Sequence, residues 1–170
     1  LVIVVKNRWS GYGQFALMVD TIIEQQTDGG TQCFPLKLFD TISEDDGGLF
    51  SEQSDGIEIS SRSSISENYL RSVKAHYKTE FTEEDLFYYI YGLLHSAEYR
   101  ERFKNNLTKE LPRIPAVKMF KDFMAFSQAG RKLGDLHVNY ETVDPYPVTF
   151  KEGDLKLAQI PDPVEFYRVK

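Results

Sequence analysis

Cysteines, long apolar runs and targeting signals are scarce or missing in this sequence. Cys33 is the only cysteine among 170 residues, so no disulfide can form within the chain, which is typical of a reducing cytoplasm. No apolar run approaches the roughly 20 residues that a membrane helix needs, and no basic-then-apolar signal peptide is present. We therefore expect a soluble, cytoplasmic protein.

The motifs that identify many enzymes are also absent. The sequence contains no GxxxxGK[ST] phosphate loop, no glycine fingerprint between a strand and a helix, no HExxH and no paired CxxC. Its histidines, His76, His95 and His137, are too scattered to predict a metal site. The chain is therefore expected to hold no catalytic residue, no metal and no cofactor. Because it begins at Leu1 without a methionine, we also expect it to be a piece of a larger protein.

Positive charge is in short supply overall, but it is unevenly distributed. The formal net charge of −6 disfavours binding to a polyanion. Between Tyr99 and Gly134, however, nine basic residues stand against three acidic ones, so this segment carries +6. Screening at physiological salt acts over about 8 Å, so a local basic face can bind a polyanion that the far side repels. An ordinary solvated helix surface is an equally good interpretation of any single basic residue.

Lysine and arginine are missing from residues 40–58, where seven acids alternate with serines and glycines. This composition predicts a solvated, flexible acidic loop over residues 41–63, which cannot contact phosphate.

The stretch from residue 81 to residue 140 carries the clearest helical signals. Thr82 is a good N-cap, Asp85 occupies the acidic position of a capping box, and Phe81 and Leu86 occupy the two positions of a hydrophobic staple. Ser96 offers a cap for a second helix. Three consecutive helices are therefore predicted here.

Two prolines and a second capping box complete the helical prediction. Pro112 and Pro115 are expected to end the second helix, and Ser64 with Glu67 predicts an additional helix upstream. That upstream helix would direct Tyr69, Leu70, Val73 and Tyr77 inward. The third helix of the block would have one stripe made of Phe120, Phe123, Ser127, Gly130, Leu133 and His137.

Strand-like segments flank the helices. Residues 1–5, 15–19 with Ile22 and Ile23, and 32–39 are predicted strands. Pro35 favours an edge position or a bulge for the third strand because it lacks a ladder donor. Short strand-like pieces return at 148–150, 155–158 and 164–169. We therefore predict an α+β fold, in which a small, mostly antiparallel sheet from the N- and C-terminal segments encloses about four helices. One domain would span residues 1–170, with strands in 1–40, the acidic loop in 41–63, the helical block in 64–140 and strands in 148–170.

The helical block also resembles a known family. The segments EEDLFYYIYGLLHSAEYRERFKNNLTKELPRIP and FKDFMAFSQAGRKLGDLHVNYE, with GGTQCFPLKLFD upstream, are similar to the carboxy-terminal part of bacterial type ISP restriction-modification enzymes, often described as predicted helicases. In that family this region is the target-recognition domain, which reads DNA sequence for an attached adenine methyltransferase, helicase and nuclease. The resemblance implies that those activities lie upstream, since the NPPY-type methyltransferase motif is also absent.

DNA recognition assigns roles to two groups of residues. The loop KNRWSGYG combines basic, amide and aromatic side chains with glycines, and its candidate base readers are Asn7, Arg8, Trp9 and Tyr12. A turn whose Trp9 packs back onto the sheet is an equally good interpretation of this loop. The candidate phosphate contacts are Arg100, Arg102, Lys104, Arg113, Lys118, Lys121, Arg131 and Lys132.

The predicted partners are double-stranded DNA and the upstream methyltransferase and helicase domains of the same chain. A second hypothesis is a non-catalytic docking module that holds those domains together through its aromatic helices. Salt sensitivity separates the two, because affinity for phosphates falls steeply with ionic strength while an apolar interface responds weakly.

Overall fold

The β-branched residues at the start of the chain form the centre of a three-stranded antiparallel sheet. In the computed structural model, strand β1 (Val2–Lys6) lies between β2 (Ala16–Val19) and β3 (Thr31–Pro35), and Val4 pairs with Leu17 on one side and Cys33 on the other. The side chains of residues 2–5 are buried, as predicted for a strand covered on both faces. Pro35 lies on β3, an edge strand among the described residues, which confirms its expected place.

The structure describes residues 1–11, 13, 15–21, 23–24, 30–42, 58–144 and 162, with residues 41, 42 and 58 described by their backbone alone. Leu1–Tyr140 form one compact unit, and Glu141–Lys170 form a second. The strands expected at 148–150, 155–158 and 164–169 lie outside the described residues. The single domain expected over residues 1–170 stays a prediction.

A two-stranded ribbon follows the first sheet. Strand β4 (Lys37–Ile42) pairs antiparallel with β5 (Glu58–Ser63), and an ion pair of 2.9 Å joins Arg62 to Asp40. The strand predicted over residues 32–39 is therefore two strands, separated at the buried Leu36. The acidic loop predicted over 41–63 is wrong at both ends, because residues 41–42 belong to β4 and residues 58–63 form the strand that pairs with it.

Four helices follow, and their first turns show how well local signals define them. They are α1 (Glu67–Tyr77), α2 (Glu83–His95), α3 (Ala97–Leu107) and α4 (Phe120–Val138), followed by a 3-10 helix at Tyr140–Thr142. The capping box at the start of α2 is confirmed, since Asp85 N–H donates to Thr82 Oγ1 over 3.1 Å and Thr82 N–H donates to Asp85 Oδ2 over 3.0 Å. Ser96 caps α3 by accepting from Tyr99 N–H over 3.3 Å. An α+β fold with antiparallel sheets and a four-helix block is thus confirmed.

The start of α1 departs from the sequence prediction. Ser66, not Ser64, is the N-cap, since the Ser66 hydroxyl accepts from Tyr69 N–H over 3.3 Å. Ser64 instead continues the strand, with its N–H bound to Leu36 O and its hydroxyl bound to the carbonyl of Pro35. Tyr69 consequently turns outward and is 37% exposed, while Val73 is buried as predicted.

Helix α3 ends before the prolines that were expected to stop it. Its last residue is Leu107, so the segment that carries Pro112 and Pro115 is an extended connector to α4. Three tyrosine hydroxyls bind carbonyls of this connector: Tyr99 at Arg113 O (2.8 Å), Tyr89 at Pro115 O (2.6 Å) and Tyr77 at Val117 O (2.8 Å). Helices α1, α2 and α3 therefore each contribute one hydroxyl that holds the connector.

Helices α2 and α4 pack closely at the centre of the helical block. The ring of Tyr89 stacks on that of Phe123 with centroids 4.6 Å apart, and both side chains are almost fully buried. Gly92 and Gly130 permit this approach, because a Cβ on Gly130 would overlap the carbonyl oxygen of Tyr88 on the facing helix. Helix α2 is covered on more than one face, since Leu86, Tyr89 and Tyr91 are all buried.

The described part of the chain lacks two kinds of element. No helix there is long and apolar enough to cross a membrane. No group of three or more histidine, cysteine, aspartate or glutamate side chains in those residues is arranged to hold a metal ion.

Candidate nucleic-acid interface

The loop after β1, which starts at Asn7, is held in place by hydrogen bonds from backbone N–H groups at its start. Lys6 N–H donates to Phe15 O over 3.1 Å, and Asn7 N–H donates to Gly30 O over 3.2 Å. Trp9 N–H donates over 2.8 Å to the carbonyl of Leu107, the last residue of α3. The loop is therefore fixed to the sheet at its start and to α3 two residues later.

The indole of Trp9 belongs to the core. Its side chain is only 7% exposed, and its ring lies 5.4 Å from that of Phe15. The guanidinium of Arg100 lies over the indole ring, 5.7 Å from its centroid. The buried ring leaves little surface for a base, and the alternative, a Trp9 that packs back into the core, is what the structure shows.

Helix α3 presents two different flanks around its buried stripe. Tyr99 and Leu107 are buried. Arg100 and Lys104 are four positions apart and so share one face of the helix, and the contact of Arg100 with the Trp9 ring shows that this face is turned towards the loop. The Cε atom of Lys104 lies 3.3 Å from the position that a Cβ on Gly11 would take. The expected base-reading loop and part of the expected phosphate helix are thus brought together. Arg102 lies on the opposite flank.

The remaining loop candidates differ in exposure. Arg8 is exposed between the two anchored residues Asn7 and Trp9. Asn7 is half-buried, and its Oδ1 is buried without a hydrogen-bond partner among the described residues. Tyr12 lies outside the described residues. Gly11 has a φ of +91°, a region that side chains with a Cβ rarely adopt, so glycine permits the chain to turn past Lys104.

Three of the predicted phosphate contacts already have internal partners. Arg131 lies 3.6 Å from Glu84 and 3.5 Å from Asp85, with its guanidinium 4.2 Å from the ring centroid of Tyr88. Arg113 is paired with Glu110 at 3.2 Å. The Arg100 Nη2 donates to His95 O over 3.3 Å.

The other five predicted phosphate contacts are exposed and have no ion-pair partner among the residues that the structure describes. They are Arg102, Lys104, Lys118, Lys121 and Lys132. They are spread over α3, the connector and α4, so they do not all share the surface beside the loop. Of these five, only Lys104 lies against the loop among the described residues.

A buried polar cluster lies between α2, α4 and β2. Tyr91 OH accepts from Met18 N–H over 2.9 Å, so its own proton is available to the neighbouring Nδ1 of His137. The His95 ring lies 5.5 Å from that of His137. Burial lowers the pKa of His95 to about 4, with further lowering from His137 and Arg100. Burial also lowers the pKa of His137, so both rings are neutral near pH 7.

Sequence reasoning missed the contact between Trp9 and α3. No local signal identifies it, because Trp9 and Leu107 are far apart in sequence and the bond uses backbone atoms. The basic composition of α3 was visible, but only the contacts of Arg100 with Trp9 and of Lys104 with Gly11 show which of its cations face the loop.

The geometry defines an α+β domain with a cationic surface made by one loop and one helix. The sequence matches the family described as the Type ISP C-terminal specificity domain over residues 1–170, and the chain belongs to this family. No protein with a curated description matches it.

Two similar solved structures are complexes with DNA. One is the "ATP-dependent Type ISP restriction-modification enzyme LlaBIII bound to DNA", with 31% identity and a TM-score of 0.64 over 84% of this chain and 8% of that one. The other is the "cryoEM structure DrdV-DNA complex", with 28% identity and a TM-score of 0.62 over 86% of this chain and 13% of that one. The chain thus spans a small part of the length of either relative.

Proposed function

We propose that this chain is the sequence-specific DNA target-recognition module of a cytoplasmic, ATP-dependent type ISP restriction-modification enzyme. Its partner would be double-stranded DNA, and the adenine methyltransferase, helicase and nuclease would lie elsewhere in the same protein. The module itself would perform no catalysis and hold no metal or cofactor. Membership of the specificity-domain family and the DNA complexes of its relatives support this proposal.

The observation that carries the proposal is the contact between the loop after β1 and helix α3. This contact supports the proposal because it brings the loop that carries the exposed Arg8 against the helix that carries Lys104, with the loop backbone held from both sides. In the proposed mechanism Lys104 contacts phosphate and fixes register, while Arg8 enters the major groove and reads guanine through two hydrogen bonds. Arg102, Lys118, Lys121 and Lys132 would extend the phosphate contacts wherever the duplex follows their surfaces.

The first experiment selects the target sequence. The full-length protein is incubated with a randomised duplex pool at several salt concentrations, and retained DNA is sequenced while anisotropy gives the affinity. We expect enrichment of one asymmetric sequence, with affinity that falls steeply as salt rises because phosphate contacts release counterions. Salt-insensitive retention without enrichment would contradict the proposal.

A pair of arginine substitutions then tests the two roles. Arg8→Ala should weaken binding to the selected duplex by about 1 to 3 kcal/mol and relax specificity at one base pair. Arg102→Ala removes the same charge from the opposite flank of α3, and should weaken selected and scrambled duplexes alike if it weakens either. Equal weakening of both duplexes by Arg8→Ala would remove Arg8 from base reading.

A docking role is the second candidate, and one apolar groove favours it. The groove has a volume of about 380 Å³ and is bordered by β1, β3 and α2, with Ile3, Phe34, Phe87 and Ile90 among its lining residues. Phe34 is 43% exposed although it is a large apolar side chain. Such a surface fits an apolar segment from another domain of the same protein.

Side-chain oxidation by hydroxyl radicals tests this second role in the full-length protein. If another domain covers the groove, Phe34 and Tyr69 should be oxidised more slowly than their exposure predicts. Phe39, which is 69% exposed on the neighbouring ribbon, serves as the reference. Equal oxidation per exposed area of Phe34 and Phe39 would exclude docking at this groove.

A further inference from the structure

Trp9 links the loop to helix α3 through both its backbone and its ring. Its N–H is bound to the carbonyl of Leu107, and its indole contacts the ring of Phe15 and the guanidinium of Arg100. Aromatic and cation contacts of this kind each add specific stabilisation to simple burial. The one tryptophan of the chain is therefore used to attach a loop rather than to present a surface.

Arg100 is itself held in place from two sides. Its Nη2 atom donates to the carbonyl of His95 at the end of α2, and its guanidinium faces the Trp9 ring at 5.7 Å from the centroid. No carboxylate among the described residues pairs with it. A guanidinium that is both stacked and hydrogen-bonded has a defined orientation, so Arg100 transmits the position of α2 and α3 to the loop.

Arg8 lies between two residues whose backbones are hydrogen-bonded to the rest of the fold. The residue before it is bound to Gly30 through Asn7 N–H, and the residue after it is bound to Leu107 through Trp9 N–H. Its own side chain is exposed. The backbone of Arg8 is thus fixed on both sides, while its side chain stays available to a partner.

We propose that Trp9 and Arg100 are positioning residues that determine sequence specificity by holding Arg8 in the orientation that reads a base. This inference rests on the proposed function of the module. It assigns neither residue a contact with DNA and gives them a role different from that of Lys104. Loss of the contact between Trp9 and Arg100 should therefore lower discrimination between DNA sequences, whereas loss of the Lys104 side chain should lower affinity for every sequence.

The test measures the ratio of dissociation constants for scrambled and selected duplexes with the full-length protein. Trp9→Leu and Arg100→Ala should each lower this ratio between about fivefold and 150-fold, the range for loss of one bidentate base contact. Trp9→Phe keeps a ring beneath Arg100 and should retain most of the ratio. Lys104→Ala is the control, with weaker binding to both duplexes and an unchanged ratio.

Hydrogen exchange of the same variants separates loop release from unfolding. In Trp9→Leu and Arg100→Ala the amides of residues 7–11 should exchange faster, while those of β1 and α2 keep their protection. If a variant loses protection in β1 as well, Arg100→Lys replaces it, since lysine keeps the charge but not the planar contact.

The outcomes distinguish this inference from the function on which it rests. If the unaltered protein selects no sequence, the proposed function fails and the inference fails with it. If the unaltered protein selects a sequence, but a variant with a released loop keeps the same ratio of dissociation constants, the positioning role alone is overturned. If a variant has a lower ratio, a released loop and a folded core, the result supports both the proposed function and the positioning role.

Discussion

Two arginines that were predicted to bind phosphate have similar aromatic neighbours but different polar ones. Arg131 on α4 lies 4.2 Å from the Tyr88 centroid, and Arg100 on α3 lies 5.7 Å from that of Trp9. Arg131 also pairs with Glu84 and Asp85, so its charge is balanced within the fold, whereas Arg100 is bound only to a carbonyl among the described residues. The count of basic residues on a helix therefore does not tell which charges are available to a partner.

Arg131 belongs to the contact between α2 and α4, and Arg100 belongs to the contact between the loop and α3. The α2–α4 contact consists of stacked rings and closely approaching backbones, and it forms much of the core. The contact between the loop and α3 is smaller and places exposed cations beside a fixed backbone. We infer that the first contact determines stability and the second determines recognition, and each prediction below tests one side of this division.

The largest expected effect is on stability, from Gly130→Ala. The new Cβ would overlap the carbonyl oxygen of Tyr88, and a backbone atom cannot move aside as a flexible side chain can. We expect a loss of about 3 kcal/mol in the free energy of unfolding, with a Tm lower by about 6 to 12 °C. Thermal unfolding followed by circular dichroism measures this.

Gly134→Ala is the matched control on the same helix. Its Cβ would approach the sulfur of Met18 at 2.6 Å, and the methionine side chain can rearrange. Its effect on Tm should therefore be smaller. Equal losses in the two variants would show that the α2–α4 approach is less constrained than its geometry indicates.

The next effect is a loss of stability in mild acid, centred on His95. Burial lowers its folded-state pKa to about 4 from an ordinary value near 6.5, so between these pH values the unfolded chain binds more protons than the folded one. The stabilisation is complete above pH 6.5 and is lost as pH falls towards 4. We expect this group to contribute on the order of 1 kcal/mol, or about 2 to 4 °C in Tm.

Substitution of the histidine checks the assignment. His95→Gln should flatten the decline of Tm between pH 6.5 and 4, because the neutral amide takes up no proton. His76→Gln changes an exposed histidine on α1 and should leave the decline as it is. An unchanged slope in His95→Gln would assign the acid sensitivity to other groups.

The smallest effect compares two exposed cations on the two contacts. Arg131→Ala should cost about 0.5 to 1 kcal/mol of stability, since exposed ion pairs and a cation–π contact are each weak, and should leave DNA affinity unchanged. Lys104→Ala should leave Tm unchanged and reduce the salt dependence of DNA binding by about one phosphate contact. Titrations at several salt concentrations, with Tm measured in parallel, decide between the two. Reversed effects would contradict the division of roles.

The parts of this fold that sequence predicts well are those set by neighbours in the chain. Thr82 with Asp85 and Ser96 with Tyr99 cap their helices because donor and acceptor are three residues apart. The start of α1 was predicted two residues early, since Ser64 has an equally good local pattern. A strand bond to Leu36, distant in sequence, decides against it.

The candidate site was predictable in composition but not in arrangement. The mixture of residues in the loop made Arg8 a candidate base reader, and the basic stretch made Lys104 a candidate phosphate contact; both roles stay predictions. Their common surface depends on Trp9 reaching the end of α3, which no periodicity or motif reports. The partners of Arg131 were equally hidden, because Glu84 and Asp85 approach it only after α2 and α4 have packed.

The three tyrosine hydroxyls that hold the connector bind its main chain alone. Their acceptors are the carbonyls of Arg113, Pro115 and Val117, and every amino acid offers a carbonyl at these positions. Mutations of the exposed connector side chains should therefore leave these three bonds in place. Over evolutionary time the segment can exchange exposed residues such as Arg113 and Lys118 while its path stays the same, which makes it a site where new surface chemistry can arise at little structural cost.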